Sequence, residues 1–189
     1  MSKIKLIAIG VSMGGFEALE KVLGPMPADS PPIVIVMHLQ PGIAKLFAAK
    51  IDRKFNISAK EAATGDILAP GKMFIAPAGL HMKIINRFGR LTIDCFLGEK
   101  EEFVMPAANV LFESVAAEVG KDAIGVILTG IGADGAKGLL KMRNAGATTL
   151  GQDEKSCAVY GMPKVAMEKG AVEIQMTPDE IAQKIISLL

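Results

Sequence analysis

The chain has 189 residues, half of them hydrophobic, and a formal net charge of +1. This length suits one globular domain, so we expect residues 1–189 to form a single domain. The balanced charge gives no reason to expect nucleic acid as a partner. The apolar stretch at residues 4–9 is too short for a signal peptide, and no apolar run approaches the roughly 20 residues of a membrane helix. The composition predicts a soluble, cytoplasmic protein without membrane insertion.

The chain offers few ligands for metal or disulfide chemistry. Its two cysteines, Cys95 and Cys157, lie far apart in the sequence, and only His38 and His81 provide imidazole groups. We therefore predict two reduced thiols, no metal site and no organic cofactor.

Short apolar runs alternate with stretches of helical periodicity along the chain. The predicted strands are residues 4–9, 33–37, 73–76, 123–128 and 148–150. The apolar faces of the predicted helices are marked by Phe16, Leu19, Val22 and Leu23, by Ala44, Phe47, Ala48 and Ile51, by residues 110–118, and by Ile181, Ile185 and Leu188. Residues 81–85 and 91–93 predict an antiparallel hairpin that turns at Gly89. The pattern predicts an α/β fold: a doubly wound, mostly parallel sheet with helices on both faces and a β-hairpin appendage.

Ser12 follows the first predicted strand in the string Gly10-Val-Ser-Met-Gly14, which matches G-x-S-x-G. Glycines on both sides suit a tight turn, and the helix that follows would aim unpaired N–H groups at a developing oxyanion. The pattern favours a nucleophilic serine acting on an ester or related acyl group. A capping serine at the start of the helix is the alternative.

His38 follows the second predicted strand directly, and a serine nucleophile needs such a base beside it. The carboxyl end of a strand is where functional groups gather in open α/β sheets. His81, at the base of the predicted hairpin, is the other histidine that could lie near the site. We favour His38 because it shares the strand-end position of Ser12.

Asp134 lies in the loop after the strand at residues 123–128, just before another predicted helix. It could orient His38 and stabilise the imidazolium that forms during catalysis. The alternative is a carboxylate that complements the dipole of the following helix.

The same loop supports a rival hypothesis, because Gly130-Ile-Gly132-Ala-Asp-Gly135 fits the dinucleotide-binding pattern G-x-G-x-x-G and Asp153 follows at the expected distance. Against it, the pattern comes late in the chain and places an acid where a pyrophosphate would lie. It also leaves Ser12 and His38 without a role.

Taken together, these strings resemble the catalytic domain of CheB, the chemotaxis response-regulator protein-glutamate methylesterase. The resemblance extends over nearly the whole chain. It is carried by residues 7–15, 37–39 and 128–136, by Phe74-Ile-Ala-Pro-Ala-Gly-Leu-His-Met82, and by Gly151-Gln-Asp-Glu154 followed by Tyr160-Gly-Met-Pro163.

The resemblance implies that Ser12 is the nucleophile, His38 the general acid/base and Asp134 the orienting carboxylate. Its implied substrate is a glutamate methyl ester on the cytoplasmic helices of a chemoreceptor, with glutamine deamidation as an additional activity of some members. No cofactor is implied. The candidates for the oxyanion site and the substrate cleft are Met13, Gly14, Ile131, Gly132 and Met162.

The chain departs from the family pattern in several places. Met13 replaces a small Ser or Thr, Ile131 replaces a common Met, and the run from Met105 to Asn109 lacks the Arg and Asp of a typical Arg-Pro-Ser-x-Asp. The altered run puts substrate choice in doubt and leaves a catalytically silent binding module as the alternative function.

The family's N-terminal receiver domain is also missing from this sequence. Either the sequence is part of a longer protein or the protein is a stand-alone esterase. The start Met1-Ser-Lys3 favours the second interpretation, with activity that needs no phosphorylation and is open to control by a separate protein.

Overall fold

The structure, a computed structural model, describes residues 4–189. The Met1-Ser-Lys3 start, on which the expectation of a stand-alone esterase rests, lies outside the described residues. The strands are β1 (Leu6–Val11), β2 (Ile33–Met37), β3 (Ser58–Glu61), β4 (Lys72–Ile75), β5 (His81–Arg87), β6 (Arg90–Phe96), β7 (Ala123–Ile127), β8 (Thr148–Gln152) and β9 (Ile174–Met176). The α-helices are α1 (Gly15–Leu23), α2 (Ile43–Lys54), α3 (Ala108–Glu118), α4 (Ala136–Asn144), α5 (Met162–Glu168) and α6 (Pro178–Leu188).

Seven strands form a parallel sheet in the order β3-β4-β2-β1-β7-β8-β9. From β1 the chain forms β2 beside it, then the edge strand β3, and then β4 between β3 and β2. It later returns to place β7 on the other side of β1. Such a reversal opens a crevice at the carboxyl ends of the central strands. The predicted doubly wound fold is confirmed.

The central strands are apolar throughout because helices cover both faces of the sheet. All six residues of β1 are buried. Ile7 and Ile9 point into a core shared with α1, α2 and α6, whereas Leu6 and Ala8 point into a second core with α3 and α4. Alternate residues of one strand thus join the two helical layers to a single sheet.

The predicted hairpin is confirmed as a separate antiparallel pair, β5–β6, longer than the sequence indicated. Its turn is formed by Phe88 and Gly89, both with positive φ. Ile84 and Ile93 pack into the second core, and the Ile84 N–H donates to the Ser114 hydroxyl on α3 at 2.9 Å. The hairpin therefore covers α3 instead of extending the main sheet.

Four short elements were not predicted: β3, β9, α5 and a 3₁₀ helix at Gly120–Asp122. β3 and β9 are edge strands of four and three residues, without a buried apolar run that would identify them. α5 has only seven residues, too few for a clear period. The start of α6 agrees with the sequence, since Thr177 and Glu180 form a reciprocal capping box. No helix within residues 4–189 is long and apolar enough to cross a membrane.

Candidate active site

Ser12, His38 and Asp134 lie at the carboxyl ends of β1, β2 and β7, which are adjacent in the sheet. Val11 is in register with Met37, so Ser12 and His38 leave neighbouring strands side by side. The ladder continues past the strand ends: the Ser12 N–H donates to the Thr129 carbonyl at 3.0 Å, and the His38 N–H donates to the Val11 carbonyl at 3.4 Å. Parallel strands about 5 Å apart thus bring all three residues to the same edge of the sheet.

Ser12 begins a tight turn that leads into α1. The Gly15 N–H donates to the Ser12 carbonyl at 3.0 Å, and Gly14 has φ 77° and ψ 4°, which are type II turn geometry. The N-cap of α1 is Gly14 and no side chain caps the helix, so Ser12 is not the capping serine of the alternative interpretation. Within residues 4–189 the N–H groups of Met13 and Gly14 have no hydrogen-bond partner.

His38 and Asp134 are in direct contact. His38 Nε2 lies 2.8 Å from Asp134 Oδ2, and the two side chains are 15% and 2% exposed. Because Nε2 faces the carboxylate, the tautomer with its proton on Nε2 donates this hydrogen bond and leaves Nδ1 as the ring nitrogen that can accept a proton. The Ser12 hydroxyl forms no hydrogen bond to His38 in the described chain. Such nucleophile–base contacts are often long in the absence of substrate.

Asp134 is held at the N-terminus of α3. Its carboxylate accepts the N–H of Ala108 at 2.6 Å and that of Asn109 at 2.9 Å. It therefore does complement a helix dipole, but that of α3 and not that of α4, whose N-cap is Gly135. Ala107, at the N-cap of α3, supplies no side-chain cap, so Asp134 takes over that role.

The altered run that includes Met105 and Asn109 lies behind Asp134. Asn109 is fully buried, with its amide oxygen accepting the Gly138 N–H at 3.0 Å and its amide nitrogen 3.4 Å from a Glu101 carboxylate oxygen. This segment therefore joins α3 to α4 around the carboxylate, and Asn109 does not reach an open substrate surface.

The candidate cleft residues differ in exposure. Met13 and Ile131 are 55% and 57% exposed, and Gly132, with φ 91°, faces open space. Met162 is fully buried, and its N–H donates to the Gly130 carbonyl at 2.8 Å. Its place in the structure is beneath the Asp134 loop, where it packs against Gly130, and not on the wall of an open cleft.

Two residues that hold the site together, Thr129 and Gln152, were not among the candidates from the sequence. Thr129 accepts the Ser12 N–H with its carbonyl and donates its hydroxyl to the Met13 carbonyl at 2.9 Å. Buried Gln152 accepts the Thr129 N–H at 2.8 Å. Both residues occur in the strings that carry the family resemblance, which was the available signal.

His81, the second histidine, also supports the site without entering it. Its Nδ1 accepts the Ala107 N–H at 3.2 Å, and its Nε2 lies 2.7 Å from the Glu99 carbonyl. The ring therefore holds the residue that begins α3, the helix that binds Asp134. His38 contacts Asp134, whereas His81 contacts the backbone of Ala107 and Glu99.

The glycine loop of the dinucleotide hypothesis is already filled by protein. A Cβ on Gly130 would lie 2.7 Å from the Ser12 Cβ, so the Gly130 backbone packs directly against the serine. Asp134 binds α3, and Asp153 accepts the Ser156 N–H at 3.0 Å. Gly130 packs against Ser12 and Gly135 packs against Ile127 and Phe112, so two of the three glycines are occupied by protein contacts, which argues against that hypothesis.

Both cysteines are free and partly buried. Burial and the nearby Asp94 raise the pKa of Cys95 to about 11, and burial and Asp153 raise the pKa of Cys157 to about 12. Neutral thiols are poor nucleophiles. Within residues 4–189 no group of three or more His, Cys, Asp or Glu side chains is placed to hold a metal ion.

The fold and these three side chains define a class: a doubly wound α/β protein with Ser, His and Asp at adjacent strand ends, the residue set used by serine hydrolases. The family model for CheB methylesterase matches residues 7–185. The chain belongs to the CheB methylesterase family.

Individual relatives agree with that assignment. Proteins named protein-glutamate methylesterase/protein-glutamine glutaminase are similar to 97–99% of the chain: one from Syntrophotalea carbinolica at 45% identity, one from Caulobacter vibrioides at 47% and one from Salmonella typhi at 41%. The chain spans 52–54% of the length of these relatives. The crystal structure of the Thermotoga maritima CheB methylesterase catalytic domain superposes with a TM-score of 0.96 at 33% identity, over all of both chains.

Proposed function

We propose that this chain is the catalytic domain of a protein-glutamate methylesterase, with Ser12 as nucleophile, His38 as general acid/base and Asp134 as orienting carboxylate. The observation that carries the proposal is the His38–Asp134 contact at 2.8 Å. His38 follows β2, which pairs with β1, the strand that ends just before Ser12. The enzyme names of relatives that match nearly the whole chain favour this proposal over a silent binding module.

The first half of the reaction transfers the glutamyl group to the enzyme. His38 Nδ1 takes the hydroxyl proton as Ser12 Oγ attacks the ester carbonyl carbon. The carbonyl π electrons move to oxygen and form a tetrahedral oxyanion. When the carbonyl reforms, the bond to the methoxy oxygen breaks, and the proton on His38 transfers to that oxygen and releases methanol. Asp134 stabilises the imidazolium between these two transfers and fixes the ring tautomer.

The oxyanion would lie at the start of α1. The unpaired N–H groups of Met13 and Gly14 are the donors closest in sequence to Ser12, and the helix dipole adds positive potential there. Donors fixed in a turn need no reorganisation as charge develops on the carbonyl oxygen.

The second half regenerates the enzyme. Water gives a proton to His38 Nδ1 and adds to the acyl carbon, and collapse of the second tetrahedral intermediate returns that proton to Ser12 Oγ. The product is a free glutamate carboxyl. A glutamine side chain would follow the same steps with ammonia as the leaving group.

The substrate would be a side chain on the cytoplasmic helices of a methylated chemoreceptor, which fits a role in chemosensory adaptation. Exposed Met13 and Ile131 flank the site and would contact such a helix. We place the protein in the cytoplasm, with residues 1–189 as one domain.

The test is release of labelled methanol from methyl-labelled receptor membranes. We expect turnover by the wild-type chain and none above background by Ser12→Ala. Cys157→Ser is the matched control, because it changes one atom of a side chain near Thr129 without touching the three residues. Equal methanol release by wild type and Ser12→Ala would overturn the proposed mechanism. No release by either protein, in the presence or absence of a phosphorylated partner, would overturn the function.

A further inference from the structure

Thr129 is buried and contacts the turn that begins at Ser12 through two different groups. Its carbonyl accepts the Ser12 N–H at 3.0 Å, and its hydroxyl donates to the Met13 carbonyl at 2.9 Å. The same hydroxyl oxygen accepts the Val159 N–H at 3.0 Å and lies 3.2 Å from the Val159 carbonyl. No chemical role in the reaction falls to this residue, yet it contacts the Val11–Ser12 peptide before the nucleophile and the Met13–Gly14 peptide after it.

The hydrogen bond from the Thr129 hydroxyl to the Met13 carbonyl determines the direction of the Gly14 N–H. A trans peptide is planar, so its N–H points opposite to its C=O. When Thr129 holds the Met13 carbonyl, the Gly14 N–H must point away from Thr129. The Gly15 N–H holds the Ser12 carbonyl in the same way, and this fixes the direction of the Met13 N–H. The two unpaired donors of the turn are therefore set by the groups on the opposite side of each peptide.

The central peptide of such a turn has an alternative orientation. Type I and type II turns differ chiefly by a flip of the peptide between their two central residues, here Met13 and Gly14. Glycine at the second of these positions allows both forms, since it tolerates either sign of φ. The sequence of the turn does not choose between them, whereas the bond from Thr129 to the Met13 carbonyl favours the type II form.

Thr129 is itself held in place. Gln152, 1% exposed, accepts the Thr129 N–H with its amide oxygen at 2.8 Å. Its amide nitrogen donates to the Ser156 carbonyl at 2.8 Å. Thr129 is thus fixed by the buried Gln152 side chain, whose amide oxygen and amide nitrogen are both hydrogen-bonded.

We infer that Thr129 is a positioning residue for catalysis: its hydroxyl holds the Met13–Gly14 peptide so that the Gly14 N–H can donate to the oxyanion. This inference rests on the proposed function for the identity of the reaction. Thr129 does not touch the substrate, so its loss affects transition-state stabilisation and leaves ground-state binding intact.

The test compares Thr129→Val, which keeps the shape of the side chain and removes the hydroxyl, with Thr129→Ser, which keeps the hydroxyl. Hydrolysis of a peptide γ-glutamyl methyl ester is the assay. We expect Thr129→Val to lower kcat by about tenfold to a hundredfold at unchanged KM. Thr129→Ser should retain most of the wild-type kcat.

Thr149 provides the matched control. It is also a fully buried threonine, on β8, but its hydroxyl has no hydrogen-bond partner among residues 4–189. Thr149→Val should leave kcat unchanged and the melting temperature equal or higher. If Thr129→Val does not fold, Thr129→Ala, which removes the hydroxyl and leaves space, takes its place.

A peptide boronic acid, which forms a tetrahedral anion on the serine, provides a second readout that a purely structural role would not change. We expect Thr129→Val to weaken boronate binding by the same factor as it lowers kcat/KM, while binding of the product carboxylic acid is unchanged. Unchanged kcat in Thr129→Val, or equal losses of boronate and product affinity, would overturn the inference. The boronate assay needs no receptor, so it distinguishes this result from a failure of the proposed substrate.

Discussion

The helices α1 and α3 both begin at the candidate site, and their N-termini differ in whether the first N–H groups are hydrogen-bonded. At α3 the first N–H groups are occupied by Asp134, at 2.6 and 2.9 Å, and this carboxylate also contacts His38. At α1 no side chain caps the helix, and the N–H groups of Met13 and Gly14 just before it are unpaired in the described chain. The N-terminus of α3 thus binds the Asp134 carboxylate, whereas the N–H groups before α1 are available to an anion that forms during a reaction.

The difference shows how the same helix dipole can serve two functions. A helix N-terminus favours negative charge by about 0.3–1 kcal/mol, and by more when the site is partly buried. At α3 that stabilisation fixes the carboxylate that orients the base. At α1 it would be realised only when charge develops on the substrate, which is the condition for lowering a reaction barrier.

The largest loss of kcat is expected when the Asp134 carboxylate is removed. Asp134→Asn keeps the size of the side chain but cannot fix the His38 tautomer or balance the imidazolium. We expect kcat to fall by about 10⁴-fold. Ester hydrolysis measured at saturating substrate checks the prediction. Less than about a tenfold loss would show that the carboxylate serves α3 alone.

The next largest loss of kcat is expected from a substitution at Gly14, the N-cap of α1. A Cβ on Gly14 would overlap the Ala158 Cβ, and its φ of 77° is strained for alanine. Gly14→Ala should therefore displace the turn and lower kcat by on the order of a hundredfold.

Gly42→Ala is the matched control for that substitution. Gly42 is also a left-handed N-cap glycine, of α2, with φ 84° and no atom within 4 Å of an added Cβ. It should destabilise the fold by about 1–2 kcal/mol and leave kcat unchanged. Similar kcat losses in both variants would mean that turn strain, and not the position of the donors, determines activity.

A smaller change, in melting temperature and not in activity, separates the structural role of Asp134 from its catalytic role. Ala107 stands at the N-cap of α3 without a side-chain cap. In the Asp134→Asn background, Ala107→Ser should raise the melting temperature by about 2–4 °C, which corresponds to about 1 kcal/mol for a new cap. Activity should remain at the Asp134→Asn level. Recovery of activity along with stability would contradict the assignment of Asp134 to catalysis.

The smallest effect is expected from the thiol beside the open helix start. Cys157 lies near Thr129, but burial and Asp153 raise its pKa to about 12, so the neutral thiol prevails throughout the physiological pH range. Iodoacetamide should therefore leave ester hydrolysis unchanged over a period in which a serine-directed phosphonate abolishes it. Rapid inactivation by iodoacetamide in wild type, absent in Cys157→Ser, would indicate a reactive thiolate.

The sequence predicted the elements whose residues are buried in a periodic pattern. The apolar runs of β1, β2 and β7 identified the central strands, and the polar residues at their ends were the site candidates. The short edge strands β3 and β9 left no such pattern. The contact between Asp134 and α3 joins residues 25 and 26 positions apart, so no local signal could reveal it. The role of Thr129 depends on the direction of a peptide group, which only the folded turn defines.

The most direct test of the account is the identity of the residue that a serine-directed phosphonate modifies. Trypsin should release residues 6–21 as one peptide, in which Ser12 is the only hydroxyl-bearing residue. We predict that mass spectrometry finds the adduct on this peptide in the wild-type chain, that it is absent from Ser12→Ala, and that its formation is much slower in Asp134→Asn. An adduct on another peptide, or labelling that proceeds at the wild-type rate in Asp134→Asn, would contradict a nucleophilic Ser12 activated through His38 and Asp134.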